Sequence, residues 1–253
     1  MKVTVVIPTY NRPGLAENLK RQILQYSPNC EVFIIDQSGS GEPNTSRAKN
    51  EGLRKSTGEI IIFFDDDVEI TKDTIPAHIK EYEDPNVIGV SGRVINDGES
   101  VPSSNDVVTG ETNNYLTKFN KSFWSTKKQT VEFVYGCNMS FRKKVLLAVT
   151  GFDEKWPTPL SAFEEIDLSF RAGKFGLISF SPYALVYHHR AISGGTRLDR
   201  KGRDTQYYRS YGRLISKHVA FPFSLVSVTV IVARIIKESP SSILSFFVGL
   251  IIG

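Results

Sequence analysis

The chain has 253 residues, 40% of them apolar and 23% charged, which suits one large α/β domain or one domain plus an appendage. A net charge of +4 allows an anionic ligand but not the basic coat of a nucleic-acid binder, so no nucleic acid is expected as a partner. The two cysteines, Cys30 and Cys137, show no CxxC or Cys/His spacing, which excludes a disulfide scaffold or zinc finger and fits a reduced compartment.

The opening "MKVTVVIPTY" has too short an apolar run for a signal-peptide core and predicts a first strand over 3–7. A helix follows, with Asn11 as N-cap, Pro13 in its first turn, and Leu15, Leu19 and Ile23 on one face. "EVFIID" (31–36) predicts a second strand, 44–58 a helix ending at Gly58, and "EIIIFFD" (59–65) a third strand. These strands are apolar on both faces, as in a parallel sheet covered by helices on both sides. Further along, the pattern predicts a helix near 71–82 and a strand over 86–95. A long loop over 96–128 is a natural place for a variable binding surface. Then come a strand over 130–136, helices over 142–151 and 161–176, and strands in "LISFS" and "ALVYHH".

Three clusters carry chemistry. In "IIIFFDDDVEI" five apolar residues run into Asp65, Asp66 and Asp67. Two unit charges about 5 Å apart repel by roughly 3 kcal/mol at an effective dielectric of about 20, so a cation is expected to offset the cost. Alternation along a strand sends Asp65 and Asp67 to one side and Asp66 to the other, and D-x-D at a parallel strand's C-terminal end suits Mg²⁺ or Mn²⁺ with substrate phosphates. In "SAFEEIDLSFR", Ser161 and Glu164 have capping-box spacing, which would turn Glu164 back to the helix start and leave Glu165 facing a cleft. In "VYHHRAISGGTR", only one of His188 and His189 can face a given side, and the Gly-rich loop over 192–203 brings Arg197, Arg200, Lys201 and Arg203 as phosphate clamps. No Walker A motif and no G-x-G-x-x-G after a strand occurs.

In this order the pieces resemble glycosyltransferase family 2 over roughly residues 1–215. "VVIPTYNRP" resembles the family's opening strand and nucleotide loop, and "FIIDQSGS" its second strand, although Gln37 and Ser38 depart from the usual form. "SRAKNEGLRKSTGEIIIFFDDDV" resembles the helix leading into the D-x-D strand, "GCNMSFRKKVLLAVTGFDE" the acceptor-side segment, and "FEEIDLSFR" the E-D-x-D-L helix. "VYHH" followed by Ser193 is similar to the segment carrying a late metal-binding histidine.

The resemblance implies an α/β GT-A fold: a mainly parallel, Rossmann-like sheet flanked by helices over 1–218, with a nucleotide-binding half (1–95) and an acceptor-binding half (96–218). It implies inverting transfer from a nucleoside-diphosphate sugar, UDP- or dTDP-linked, to a glycan or lipid-linked acceptor hydroxyl. Mn²⁺ or Mg²⁺ would sit on Asp67, Asp65 and His188, with His189 the other candidate. Glu165 stands where the family usually has an aspartate base, so Asp167 and Glu164 stay open as alternatives. Pro8, Thr9, Tyr10, Arg12, Asp36, Arg47, Asn50, Asp65, Asp66 and Arg197 would bind the nucleotide, Tyr10 stacking on its base. A sugar nucleotidyltransferase and a non-catalytic binding relative are the rival readings.

The hydrophobic tail over 219–253 has two uncharged stretches, Val219 to Ala233 and Ser239 to Gly253, each of 15 residues and short of a span. One reading is a helical pair packed on the core or a partner chain. The other is a membrane-associated segment, with Arg209, Arg213 and Lys217 beside anionic headgroups, placing the protein at the cytoplasmic face of the membrane.

Overall fold

A computed structural model describes residues 1–39, 41–102, 106–159, 162–191, 195 and 198–252. The chain runs β1 (Val3–Thr9), α1 (Pro13–Tyr26), β2 (Glu31–Asp36), α2 (Thr45–Lys55), β3 (Ile60–Phe64), β4 (Val68–Ile70), α3 (Thr74–Glu81) and β5 (Val87–Asn96). It continues through a small hairpin, β6 (Glu111–Thr112) and β7 (Phe119–Asn120), to β8 (Gln129–Val131), β9 (Asn138–Arg142), α4 (Lys143–Ala148) and α5 (Glu164–Ala172). Last come β10 (Leu177–His188), α6 (Arg200–His218), α7 (Phe223–Glu238) and α8 (Ile243–Ile251).

The main sheet has the order β2-β1-β3-β9-β5-β10-β4, with β8 also on β10. Pairs β1–β2, β1–β3 and β5–β10 are parallel. With its flanking helices this is an α/β, GT-A-like fold. Strand β1 connects to β2 on one side, and the next connection, from β2, crosses to β3 on the other, so a crevice opens at the C-terminal ends of β1 and β3, the usual ligand edge of such sheets. Apolar residues of β1 and β3 are buried on both faces, as their unbroken apolar runs require.

Several local expectations change. Asn11 has a left-handed φ of 57° and Arg12 is the N-cap of α1; the helix buries Ala16, Leu19 and Ile23, leaving Leu15 exposed. Helix α2 stops at Lys55, and Gly58 instead lets the chain pass β1: a Cβ there would lie 2.6 Å from the Thr4 nitrogen. The alternating run over 130–136 is strand only to Val131, and the sheet takes "NMSFR" as β9. "LISFS" and "ALVYHH" form one strand, its register shifted between Ser181 and Leu185 around Pro182, which has no N–H for the ladder.

Residues after 218 pack on the body. Gly212 of α6 and Gly249 of α8 let these helices touch backbone to backbone: a Cβ on Gly212 would lie 2.2 Å from the Phe246 oxygen. Helix α7 docks on the hairpin loop, where Ser227 Oγ donates to the Tyr115 carbonyl at 2.6 Å and Arg234 to the Thr117 carbonyl at 3.0 Å. Its outer face exposes Phe223, Leu225, Val226, Val230 and Ile236. Among the described residues no helix is long and apolar enough to cross a membrane.

Candidate active site

Strand β3 carries the acidic turn to the crevice. The short β4 then pairs antiparallel with β10, setting Val68 opposite His188, and the His189 N–H donates to the Asp67 carbonyl at 2.9 Å. This pairing brings residues 121 positions apart together. One ligand atom from each of Asp65, Asp67 and His188 lies within 4.8 Å of the others. Ligands at about 2.0–2.1 Å from a hard divalent ion are at most roughly 4.2 Å apart, so a pair as wide as 4.8 Å must close by about 0.6 Å or more to share one ion. Two carboxylates and an imidazole fit Mg²⁺ or Mn²⁺.

The imidazole is oriented for that role. Asn96 Oδ1 faces both His188 Nδ1, at 3.0 Å, and Arg190 Nε, at 3.1 Å. An oxygen between two nitrogens accepts from both, so Nδ1–H is a donor to Asn96, and Nε2 points at Asp67 Oδ1, 3.2 Å away. His189 faces outward instead, against Asp97 and Glu69.

The three aspartates sit in different environments. Burial raises Asp65, against the nearby Lys49 charge. Burial also raises Asp66, to about 6, although Thr9 Oγ1 donates to it at 2.6 Å and Arg12 Nη2 lies 2.7 Å away. Burial would raise Asp67 too, but the His188 hydrogen bond and charge, Arg12 and the Ala191 N–H outweigh it, and Asp67 stays ionised well below the usual carboxylate range.

A cavity of about 190 Å³ opens beside this turn, lined by Pro8, Thr9, Tyr10, Arg12, Gln37 and Lys49 as well as Asp65, Asp66, Gly136 and Glu164. Helix α5 forms the facing wall. Its N-cap is Phe163, held at φ 71°, a costly backbone state for a bulky residue. The predicted capping box is therefore not the start of this helix. Glu164 accepts from Lys49 Nζ at 3.1 Å. Burial, with Glu165 adding to it and Lys49 opposing, raises Glu164 to about 7. Glu165 is also buried and lies against Gly136, where a Cβ would stand 3.8 Å from its carboxyl carbon.

Other predicted site residues lie elsewhere. Asp36 is exposed and closes its own turn by accepting from the Ser38 N–H at 2.8 Å. Arg47 is exposed, off the inward face of α2. Asn50 holds the Phe152 backbone, accepting at 2.8 Å and donating at 2.9 Å, and is a brace behind the site. Asp167 is fully buried against Arg171, Lys217 and His218, away from the cavity. Ser161, Ser193 and Arg197 lie outside the described residues. The sequence reading missed Lys49. The signal was present: Ser46, Lys49, Asn50 and Leu53 fall at i, i+3, i+4 and i+7, the inward stripe of α2, which excludes Arg47.

Fold and acidic crevice together define a GT-A-like α/β protein. Residues 39–149 match the family model described as "Glycosyl transferase family 2". Over that stretch, a little under half of its length, the chain is similar to this family. It is 25% identical to a glucosyl-dolichyl phosphate glucuronosyltransferase of Haloferax volcanii, over 60% of this chain and 56% of that protein. It is 26% identical to a pre-mycofactocin glycosyltransferase of Mycobacterium tuberculosis, over 64% of this chain and 33% of the other. The chain thus spans about a third to a half of the curated relatives it matches. Among solved structures, residues 1–349 of S. aureus TarS in complex with UDP-GlcNAc align with a TM-score of 0.61 at 16% identity, covering 95% of this chain and 74% of that one. The Pyrobaculum calidifontis mannosyltransferase PcManGT, in complex with GDP-Man and Mn²⁺, aligns with a TM-score of 0.59 at 16% identity, covering 98% and 74%.

Proposed function

We propose that the protein transfers a glycosyl group, with inversion, from a nucleoside-diphosphate sugar to an acceptor hydroxyl. The observation that carries this reading is the convergence of Asp65, Asp67 and His188 beside a cavity lined by Asp65, Lys49 and Glu164. Asp67, Asp65 and His188 would hold Mn²⁺ or Mg²⁺, which supplies positive charge for the departing diphosphate. Pro8, Thr9 and Tyr10 would border the nucleoside, and Arg12 and Lys49 would add cationic charge near the phosphates. Glu165 would take the acceptor's proton, because Glu164 is tied to Lys49. TarS and PcManGT are each described in complex with a nucleotide sugar, which supports this donor class; UDP or dTDP is the donor nucleotide proposed here.

The acceptor proposed is a glycan or lipid-linked glycan, bound through the half beyond residue 95. The exposed apolar face of α7 supports peripheral contact with a membrane at its cytoplasmic face.

Thermal-shift titration with UDP, dTDP, GDP and CDP, with and without Mn²⁺, tests the site in wild type and Asp67→Asn. A ligand at 100-fold excess over Kd adds about 2.7 kcal/mol to the folded state. The expected result is one nucleotide that stabilises wild type only with metal and loses that effect in Asp67→Asn. No shift from any nucleotide would overturn the reading. Product analysis with sugar nucleotides separates the rivals: nucleoside diphosphate marks transfer, pyrophosphate marks nucleotidyl transfer, and neither product marks a binding protein.

A further inference from the structure

Arg12 does something that nucleotide binding alone does not require. Its Nη2 lies 2.7 Å from Asp66 Oδ1 and its Nη1 3.1 Å from Asp67 Oδ2. The side chain is only 15% exposed. Gly195 closes over it: the Gly195 N–H donates to the Tyr10 carbonyl at 2.8 Å, and a Cβ on Gly195 would lie 2.6 Å from Arg12 Nη2. The guanidinium is therefore seated in a slot between the acidic turn and Gly195.

Both oxygens of Asp67 are engaged: Oδ1 faces His188, while Oδ2 accepts from Arg12 and from the Ala191 N–H at 2.9 Å. A divalent ion on Asp67 would sit within a few ångströms of a fixed positive charge, in a site that water screens poorly. The chain thus has its own cation where the metal's charge is needed. Lys49 cannot move aside so readily, because it is buried and paired with Glu164. Arg12 is better placed to move. It caps α1 from a loop, and its Nε has no acceptor among the described residues. A planar guanidinium is matched to phosphate oxygens as well as to carboxylates.

We infer that Arg12 is a resident counter-cation of the aspartate turn that exchanges Asp67 for the donor's diphosphate, so that divalent metal binds weakly to the free protein and tightly only with nucleotide. This inference rests on the site reading proposed above. Coupling of this kind is reciprocal: whatever factor nucleotide adds to metal affinity, metal adds to nucleotide affinity. Arg12 would then work against the metal in the free protein and for the diphosphate in the complex, so that the site charges fully only when a donor is present.

The test is Mn²⁺ binding followed by the EPR signal of the free ion, without nucleotide and with saturating UDP, dTDP or GDP in parallel, for wild type, Arg12→Gln and Arg12→Lys. In wild type, nucleotide should tighten Mn²⁺ binding about tenfold or more. Arg12→Gln should bind Mn²⁺ without nucleotide about tenfold more tightly than wild type, with much of the coupling gone. Arg12→Lys keeps the charge and should keep metal binding weak, which separates charge from lost packing. Unchanged or weaker Mn²⁺ binding by Arg12→Gln without nucleotide overturns the inference while leaving the site reading standing. Absence of Mn²⁺ binding in wild type with any of the three nucleotides overturns the site reading and the inference with it.

Discussion

Asp67 and Asp167 each face several cationic groups from distant parts of the chain, yet only Asp67 belongs to a turn that borders open space. Asp167 accepts from Arg171 at 2.9 and 2.7 Å, and from Lys217 and His218 of α6 at 2.7 and 2.9 Å. Its burial would raise it, but these partners outweigh that and hold it ionised below the ordinary range. Asp153 adds to the knot through Arg213 and Lys217, at 2.7 and 2.9 Å. Every charge there is answered by another side chain, so the knot fastens α5 to α6. At the β3 turn three aspartates meet Arg12, Lys49 and His188 around a cavity, and Lys49 is shared with Glu164. Similar residue types give a clamp where the acids and cations of two helices are tied to one another, and a candidate site where three neighbouring aspartates share their cations beside a cavity.

Substitutions can break this contrast. The largest effect is expected from Glu165→Gln, which should cut kcat by about 10²–10⁴-fold while the nucleotide-dependent thermal shift stays at the wild-type level. Glu164→Gln is the control: loss of turnover there with Glu165→Gln still active would move the base to the neighbour. Next is Asp167→Asn, which removes the buried carboxylate that Arg171, Lys217 and His218 share and should cost roughly 2–3 kcal/mol in urea unfolding, with nucleotide binding by the folded fraction kept. Near-wild-type stability with lost turnover would instead make Asp167 part of the chemistry.

A third polar cluster has little formal charge. His78 is fully buried, its Nδ1 2.9 Å from Ser140 Oγ and its Nε2 2.8 Å from Asn138 Oδ1, and burial lowers its pKa from 6.5 to about 4. A lowered histidine means that the unfolded chain binds the proton first. Its contribution to stability is therefore full above about pH 6.5 and is lost as pH falls toward 4, by up to about 3 kcal/mol. Asp66 and Glu164, both raised, act in the opposite sense, their contributions growing as pH falls through about 6 and 7. The difference in unfolding free energy between wild type and His78→Gln across this window isolates the histidine. A difference that does not vary with pH would show that His78 is not held neutral.

The smallest effect concerns the tail. Gly249→Ala puts a Cβ 1.9 Å from the Arg209 oxygen, so α6 and α8 must separate, at about 1–3 kcal/mol in thermal unfolding. No change would mean that the tail does not contribute to the clamp that α6 closes.

Much of the site was legible because it is local. The apolar run into Asp65–Asp67 is contiguous, so strand, burial and D-x-D spacing could be read together. The inward face of α2 was equally readable: Lys49 lies on its helical stripe with Ser46, Asn50 and Leu53, and Arg47 does not. Asn50 and Asp167 belong to a different class. Their partners lie 102 and 51 residues away, at Phe152 and His218, and no local period shows such a brace. The same holds for β9, whose "NMSFR" is too short to stand out until β3 and β5 flank it.

The sequence by itself determined the alternation of buried strands and helices, the acid turn at the end of β3 and the family it resembles, because backbone periodicity and contiguous motifs are written within one turn or one strand. Only the tertiary structure decided which of two adjacent histidines faces Asp67, which carboxylates are sealed by permanent cations, and that Arg12 already pairs with the aspartates. Those outcomes depend on strand register and on charges meeting across the fold, and burial multiplies the strength of such meetings without leaving a mark on the local pattern.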